Sequence, residues 1–203
     1  MTDVRYWVAF NRAPGFGPAK VRALLDHFGD LEWAWRATAA ELQQAGMDRR
    51  AIESLLKLRT TYDPQIDIRK AERAGARILT WDDAEYPVHL REIPQPPPVL
   101  YVKGALAESD QWALAIVGTR RASAYGKEAA RVFAGALAAS GVTIVSGLAR
   151  GIDAVAHQAA LDAGGRTIAV LGHGIDLLYP PEHRRLAAQI VERGALVSDY
   201  PPG

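Results

Sequence analysis

The 203-residue chain has no cysteine, which excludes disulfides, thiolate nucleophiles and cysteine-ligated zinc. It has no apolar run approaching the ~20 residues that a membrane-spanning helix needs. Net charge is almost absent as well: 24 Lys and Arg against 23 Asp and Glu leave +1. A protein that grips nucleic acid over its whole surface is usually more basic, so any phosphate site here has to be local. The N-terminus reads Met1-Thr2-Asp3-Val4, without the basic-then-apolar pattern of a secretory signal. Absence of cysteine and of a signal is compatible with a cytoplasmic protein, with no membrane partner. The remaining composition is ordinary, with 49% hydrophobic and 23% charged residues. That suits a globular chain with core enough for a small domain plus an α/β domain.

Several signatures of chemistry are missing too. After Gly118 there is no G-x-G, and no acid occurs between Glu128 and Asp153 to hold a ribose, so a dinucleotide fold is disfavoured. No G-x-x-x-x-G-K-[ST] loop cradles a nucleotide triphosphate, and no G-x-S-x-G elbow carries a nucleophile. The five histidines do not form an H-E-x-x-H or similar metal spacing. No cofactor, metal or catalytic residue is therefore assigned, and the chain reads as a binder rather than an enzyme.

Three regions differ in pattern. Residues 1–60 read as an all-helical domain: Val21, Leu24, Leu25 and Phe28 fall at i, i+3, i+4 and i+7, Ile52, Leu55 and Leu56 form a second stripe, and Thr38 to Glu41 has capping-box spacing. Residues 61–112 read as a connector. Within it Asp63-Pro64 opens a helix that Gly75 closes, Ala76–Thr80 and Val99–Val102 are short strands, and Pro94-Gln95-Pro96-Pro97-Pro98 is a stiff extended stretch. Residues 113–203 alternate apolar runs (113–117, 142–145, 167–171, 195–197) with helical segments ending at Gly141, Gly164 and Gly194. Such spacing is that of βα units with right-handed crossovers. Continuous apolar strands imply that both sheet faces are covered, so the fold class is α/β: a doubly wound, Rossmann-like, mostly parallel sheet.

Three glycine-bearing loops follow successive strands: Val117 to Gly126, Ser146 to Asp153, and Leu171 to Pro180. In a parallel sheet they all lie at the carboxyl edge, where open α/β sheets bind ligands. Glycine lets backbone approach a phosphate, and each following helix aims N–H groups at it. Arg120, Arg121 and Arg150 add fixed charge, and no acid between Gly118 and Lys127 cancels it. The same glycines also serve tight turns, Asp153 is read as a helix N-cap, His157 as a packed or surface histidine, and Asp176 and Tyr179 as turn residues. In the helical region, Gly15-Phe16-Gly17 before an amphipathic helix bearing Lys20 resembles a helix-hairpin-helix of SAM-like domains, which grips phosphate through backbone N–H groups or keeps only the packing.

Taken together, Ala115 to Arg120, Ser146 to Asp153, Leu171 to Asp176 with Tyr179-Pro180, Glu85-Tyr86-Pro87, Pro97 to Gly104 and Ser198 to Gly203 are similar in order and spacing to the DNA-processing protein A (DprA/Smf) family. The resemblance implies a single-stranded DNA-binding protein of natural transformation that protects incoming strands, assists loading of the RecA recombinase and forms a homodimer through its Rossmann domain. It implies a DNA site at Gly118, Thr119, Arg120, Arg121, Ser146, Gly147, Arg150, Gly172, Gly174, Arg184 and Arg185; the hairpin resemblance, where it keeps the binding and not only the packing, adds Gly15, Gly17 and Lys20 as a further phosphate contact. Pro181 stands where some relatives carry lysine, which shifts the third-loop charge to Arg184 or Arg185. Family members continue past the P-P-G, so the C-terminal part of their Rossmann domain is expected to be absent here, with weaker binding and dimerisation. The rival reading is a nucleotide-binding enzyme or regulatory module of the lysine-decarboxylase-like Rossmann type, whose P-G-G-x-G-T-x-x-E motif does not occur.

Overall fold

A computed structural model describes residues 2–203. The chain divides into two compact units, residues 2–73 with 78–100, and residues 74–77 with 101–203. The segment read as a connector is thus shared between them.

The first unit is helical. It contains α1 (Val4–Arg12), α2 (Pro18–Phe28), α3 (Leu31–Arg36), α4 (Ala39–Gln44), α5 (Arg49–Thr61), α6 (Gln65–Arg73) and the one-turn α7 (Val88–Arg91). Helix starts follow local chemistry. Asp3, Asp30 and Asp48 each accept a backbone N–H at an N-terminus, and Thr38 with Glu41 closes the expected capping box on α4. Asp63 accepts the Gln65 N–H at 2.9 Å, opening α6 where the Asp-Pro pair places it. The core is aromatic. Trp7 meets Trp81 edge-on at 5.5 Å, and Phe10 packs against Phe16 and Trp35. Beside it lies a buried carboxylate, Asp67, held by a bidentate Arg12 guanidinium at 2.8 and 2.9 Å and by the Tyr62 hydroxyl at 2.6 Å. Burial and the Asp67 charge both push the Tyr62 phenol well above its usual range.

The second unit is built on a sheet, to which the first unit contributes residues 78–80 of the first strand and the first two residues of the second. Strand β1 (Arg77–Thr80) and β2 (Val99–Gly104) are followed by β3 (Ala113–Ala115), α8 (Ala124–Ala139), β4 (Thr143–Ser146), α9 (Ile152–Asp162), β5 (Thr167–Val170), α10 (Arg184–Arg193) and β6 (Ala195–Ser198). The strand order is β1-β2-β6-β5-β4-β3. Strands β3 to β6 run parallel, and β2 pairs antiparallel with β6, matching Tyr101 with Ser198 and Gly104 with Ala195. The sheet is mostly parallel and Rossmann-like, as its alternating pattern predicts. Its three crossovers step the same way, and α8, α9 and α10 contact one another in sequence, forming one layer. The α8–α9 contact is made of small residues: Ala134 and Ala138 lie against Ala156, Ala159 and Ala160 over Ile144. Small side chains let the two helices approach closely at little entropic cost.

Covered faces were expected for every apolar strand, and β3 differs. All three of its residues are exposed, Leu114 at 45%. β3 is the edge strand, so hydrophobicity there reflects no burial among the described residues. The amino ends of β3, β4 and β5 are tied together by an ion pair. Arg166 reaches both carboxylate oxygens of Asp110, which also accepts from Thr143. Burial would raise the Asp110 carboxyl, but these hydrogen bonds hold it below its usual range. No described helix is long and apolar enough to cross a membrane.

Candidate functional site

Parallel order places the loops after β3, β4, β5 and β6 at one edge of the sheet, and hydrogen bonds stitch each to the next. Ser146 is buried and gives its hydroxyl to the Ile116 carbonyl at 2.7 Å, tying the end of β4 to the end of β3. Across the first and second loops, the Ile152 N–H donates to the Thr119 carbonyl at 3.3 Å. His183 Nδ1 meets the Leu148 carbonyl at 2.9 Å, joining the second loop to the third. Ser198 donates to the His173 carbonyl at 2.6 Å, and the Gly203 N–H donates to Asp176 at 3.0 Å, joining the third to the last segment.

The glycines have distinct reasons. A Cβ on Gly118 would stand 2.6 Å from Ile152, so this glycine admits the start of α9 against the first loop. Gly151 has φ +84°, and its Cβ would collide with the Thr119 carbonyl oxygen and lie 2.9 Å from Arg120 Cα. Gly174 is crowded by Asp176 and the carbonyl of Pro201, whereas Gly172 faces open space. Leu148 is fully buried at φ +58°, a conformation that a leucine rarely adopts and that turns its carbonyl toward His183.

Asp153 has a different role from the expected N-cap. The cap position of α9 belongs to Gly151, and Asp153 lies two residues inside the helix. Its carboxylate turns back to accept the N–H groups of Gly147 at 3.1 Å and Ala149 at 3.3 Å. The second loop is therefore folded around an internal anion, which takes two N–H donors that an exogenous phosphate would otherwise find. The local capping rule failed because Gly151 supplies the turn and leaves Asp153 to the loop.

The charges sort into two kinds. Arg120, Arg121, Arg184 and Arg185 are exposed, and their side chains make no hydrogen bond or ion pair among the described residues. Thr119 Oγ1 accepts the Arg121 N–H at 3.2 Å, fixing the turn between the two first-loop arginines. Ser123 caps α8 through the Gly126 N–H. Arg150, by contrast, is paired: its Nε lies 2.5 Å from Glu182 Oε1, and its guanidinium stands 5.8 Å from the Tyr179 ring centre. The hydrogen bond from Arg150 holds the Glu182 carboxyl below its usual range. The sequence singled out neither Glu182 nor His183. Both lie in the Pro-Pro-Glu-His segment, where only the fold brings them back to the second loop.

In the helical unit the hairpin forms as read. Gly15 has φ +85°, Gly17 is the N-cap of α2 and Pro18 occupies its first turn. Lys20, however, pairs with Asp48 and lies 5.9 Å from the Phe16 ring centre. The charge expected for a phosphate is engaged by the cap of α5.

The fold and the site define a class: a Rossmann-like sheet whose carboxyl edge carries interlocked glycine- and arginine-bearing loops, with a helical unit earlier in the chain. The model of the DNA recombination-mediator protein A family matches residues 77–203, and the chain belongs to that family. It is 42% identical to Protein Smf of Synechocystis over its whole length, covering 52% of that protein, and 41% identical to Protein Smf of Escherichia coli over 80% of its length, covering 44%. It thus spans about half the length of these curated relatives. The X-ray structure of DNA processing protein A from Streptococcus pneumoniae superposes with a TM-score of 0.79 at 28% identity, covering all of this chain and 70% of that one. A Helicobacter pylori DNA processing protein A, described for its single-stranded DNA binding mode, matches 63% of this chain and 58% of its own, at 29% identity and a TM-score of 0.54.

Proposed function

We propose that this chain binds single-stranded DNA along the loop edge, by its phosphates and without covalent chemistry. Its role is in DNA uptake during natural transformation: it shields incoming strands in the cytoplasm, passes them to the RecA recombinase and pairs with a second copy of itself. The observation that carries the reading is the set of four arginines, Arg120, Arg121, Arg184 and Arg185, that no internal anion neutralises at one sheet edge. The Helicobacter pylori relative's single-stranded DNA binding supports the choice of polymer over mononucleotide. Phosphates supply the affinity, so oligomers of different sequence should bind within about tenfold of one another.

The test compares two neighbouring arginines. A guanidinium offers paired donors to a phosphate, and losing such a charge-assisted bond costs about 1.5–3 kcal/mol, roughly 10–150-fold in affinity. Arg120 has its backbone pressed against Gly151 and is held in place by the second loop. Arg120→Ala is expected to weaken binding of a thymine oligomer at least about tenfold, with an unchanged melting temperature, and Arg121→Ala to do less. Binding isotherms at fixed salt measure both, with a mononucleotide as the competing ligand. Equal, small effects would make the first loop merely a turn, and preference for the mononucleotide would favour a nucleotide-binding module.

A further inference from the structure

Among the arginines at the carboxyl edge of the sheet, Arg150 has an anionic partner. Glu182 and Tyr179 reach it from the loop after β5, some thirty residues on in sequence. The three groups are about half exposed: the side chains of Arg150 and Glu182 at 52% and 48%, and Tyr179 at 56%. A carboxylate and a phosphate use the same guanidinium donors, so they compete for one position. Beside that position lies an open aromatic ring, and every nucleobase has a face that can stack on it. An exposed ion pair contributes little net stability, so an anion with further anchors can displace it.

We propose that Arg150, Tyr179 and Glu182 form one nucleotide subsite, in which Glu182 occupies the phosphate position until a strand phosphate displaces it and the adjoining base stacks on Tyr179. The proposal rests on the single-strand reading above and adds a selectivity device to it. A mononucleotide exchanges one anion for another on Arg150 and gains little. An oligomer already anchored at Arg120 presents its neighbouring phosphates at high effective concentration and wins the exchange. Glu182 thereby discriminates polymer from monomer without reading sequence.

The experiment titrates the full 203-residue chain into a fluorescein-labelled thymine oligomer at fixed low salt and follows anisotropy. Glu182→Gln preserves shape and removes the competing charge. It is expected to tighten binding by about two- to fivefold, the range that an exposed ion pair spans. Glu192→Gln, in the last turn of α10, changes net charge equally and is expected to have no such effect. In an Arg150→Ala background, Glu182→Gln should gain nothing, because the pair is already broken. Tyr179→Ala should weaken binding by about fivefold or more, and Tyr179→Phe should restore it. A gain equal to that of Glu192→Gln, a gain that persists without Arg150, or a neutral Tyr179→Ala would overturn the subsite while wild-type binding stands. If neither the wild type nor Glu182→Gln binds the oligomer, the single-strand reading fails and the subsite fails with it.

Discussion

His157 shows how one buried side chain writes a pH dependence into the fold. It is fully buried in α9, with Nδ1 2.7 Å from Thr167 Oγ1. Thr167 spends its own hydrogen on the Ile144 carbonyl at 2.7 Å, so it accepts from His157. That assigns the proton to Nδ1 and leaves Nε2 buried without a partner. Burial, with a smaller contribution from His183, pushes the imidazole down to about 4. The unfolded chain takes up this proton near its ordinary value of about 6.5, so between those values the unfolded state binds more protons. The stabilisation is complete above pH ~6.5 and is lost as pH falls toward ~4, a total of about 3 kcal/mol. Urea midpoints are expected to fall between about pH 7 and about pH 4.5, and His157→Asn, whose side-chain amide takes the place of the Nδ1 that bonds Thr167, should flatten that fall. An unaltered slope would assign the acid loss to carboxylates such as Asp110. The sequence reading allowed a packed or a surface histidine here, because an isolated His on an apolar helix carries no local sign of what the sheet beneath it offers.

At the scale of elements, the alternation of strands and helices was legible because each is set by its own residues. Helical segments end at Gly141, Gly164 and Gly194, the Asp-Pro pair opens α6, and Thr38 with Glu41 caps α4. What the sequence left out were effects between elements: β3 is apolar yet exposed, Asp153 serves a loop rather than its helix, and Glu182 returns to Arg150. The strongest of these couplings is between Gly151 and the first loop. A methyl group at Gly151 meets both a left-handed backbone and the carbonyl of Thr119. Gly151→Ala is expected to cost about 2 kcal/mol or more, combining backbone strain with displacement of the loop that carries Arg120. Melting curves would show the loss of stability, and oligomer binding should weaken as in Arg120→Ala even where the variant remains folded. A variant with native stability and native affinity would mean that the two loops move independently.

Over the whole molecule, near-neutral net charge confines any phosphate site to a local patch, and the four unpaired arginines of the sheet edge are the candidate. The helical unit carries a hairpin of the right shape, but Lys20 is paired with Asp48, and a paired lysine is a poorer counterion for phosphate than a free guanidinium. The division of labour can be read from salt dependence, because each phosphate neutralised on a single strand contributes about −0.7 to the slope of log affinity against log salt. Three or four engaged arginines therefore give a slope of about −2 to −3. Arg120→Ala should make it shallower by about 0.7, whereas Lys20→Ala should leave both slope and affinity within about twofold of the wild type. Duplex DNA should bind more weakly than single strands, since a base freed from pairing can also stack on exposed rings. The measurement is a series of titrations from low to physiological salt on the three proteins. A slope that drops with Lys20→Ala would move a phosphate contact into the hairpin, breaking the Lys20–Asp48 pair on binding. A slope unaffected by Arg120→Ala would remove the first loop from the site.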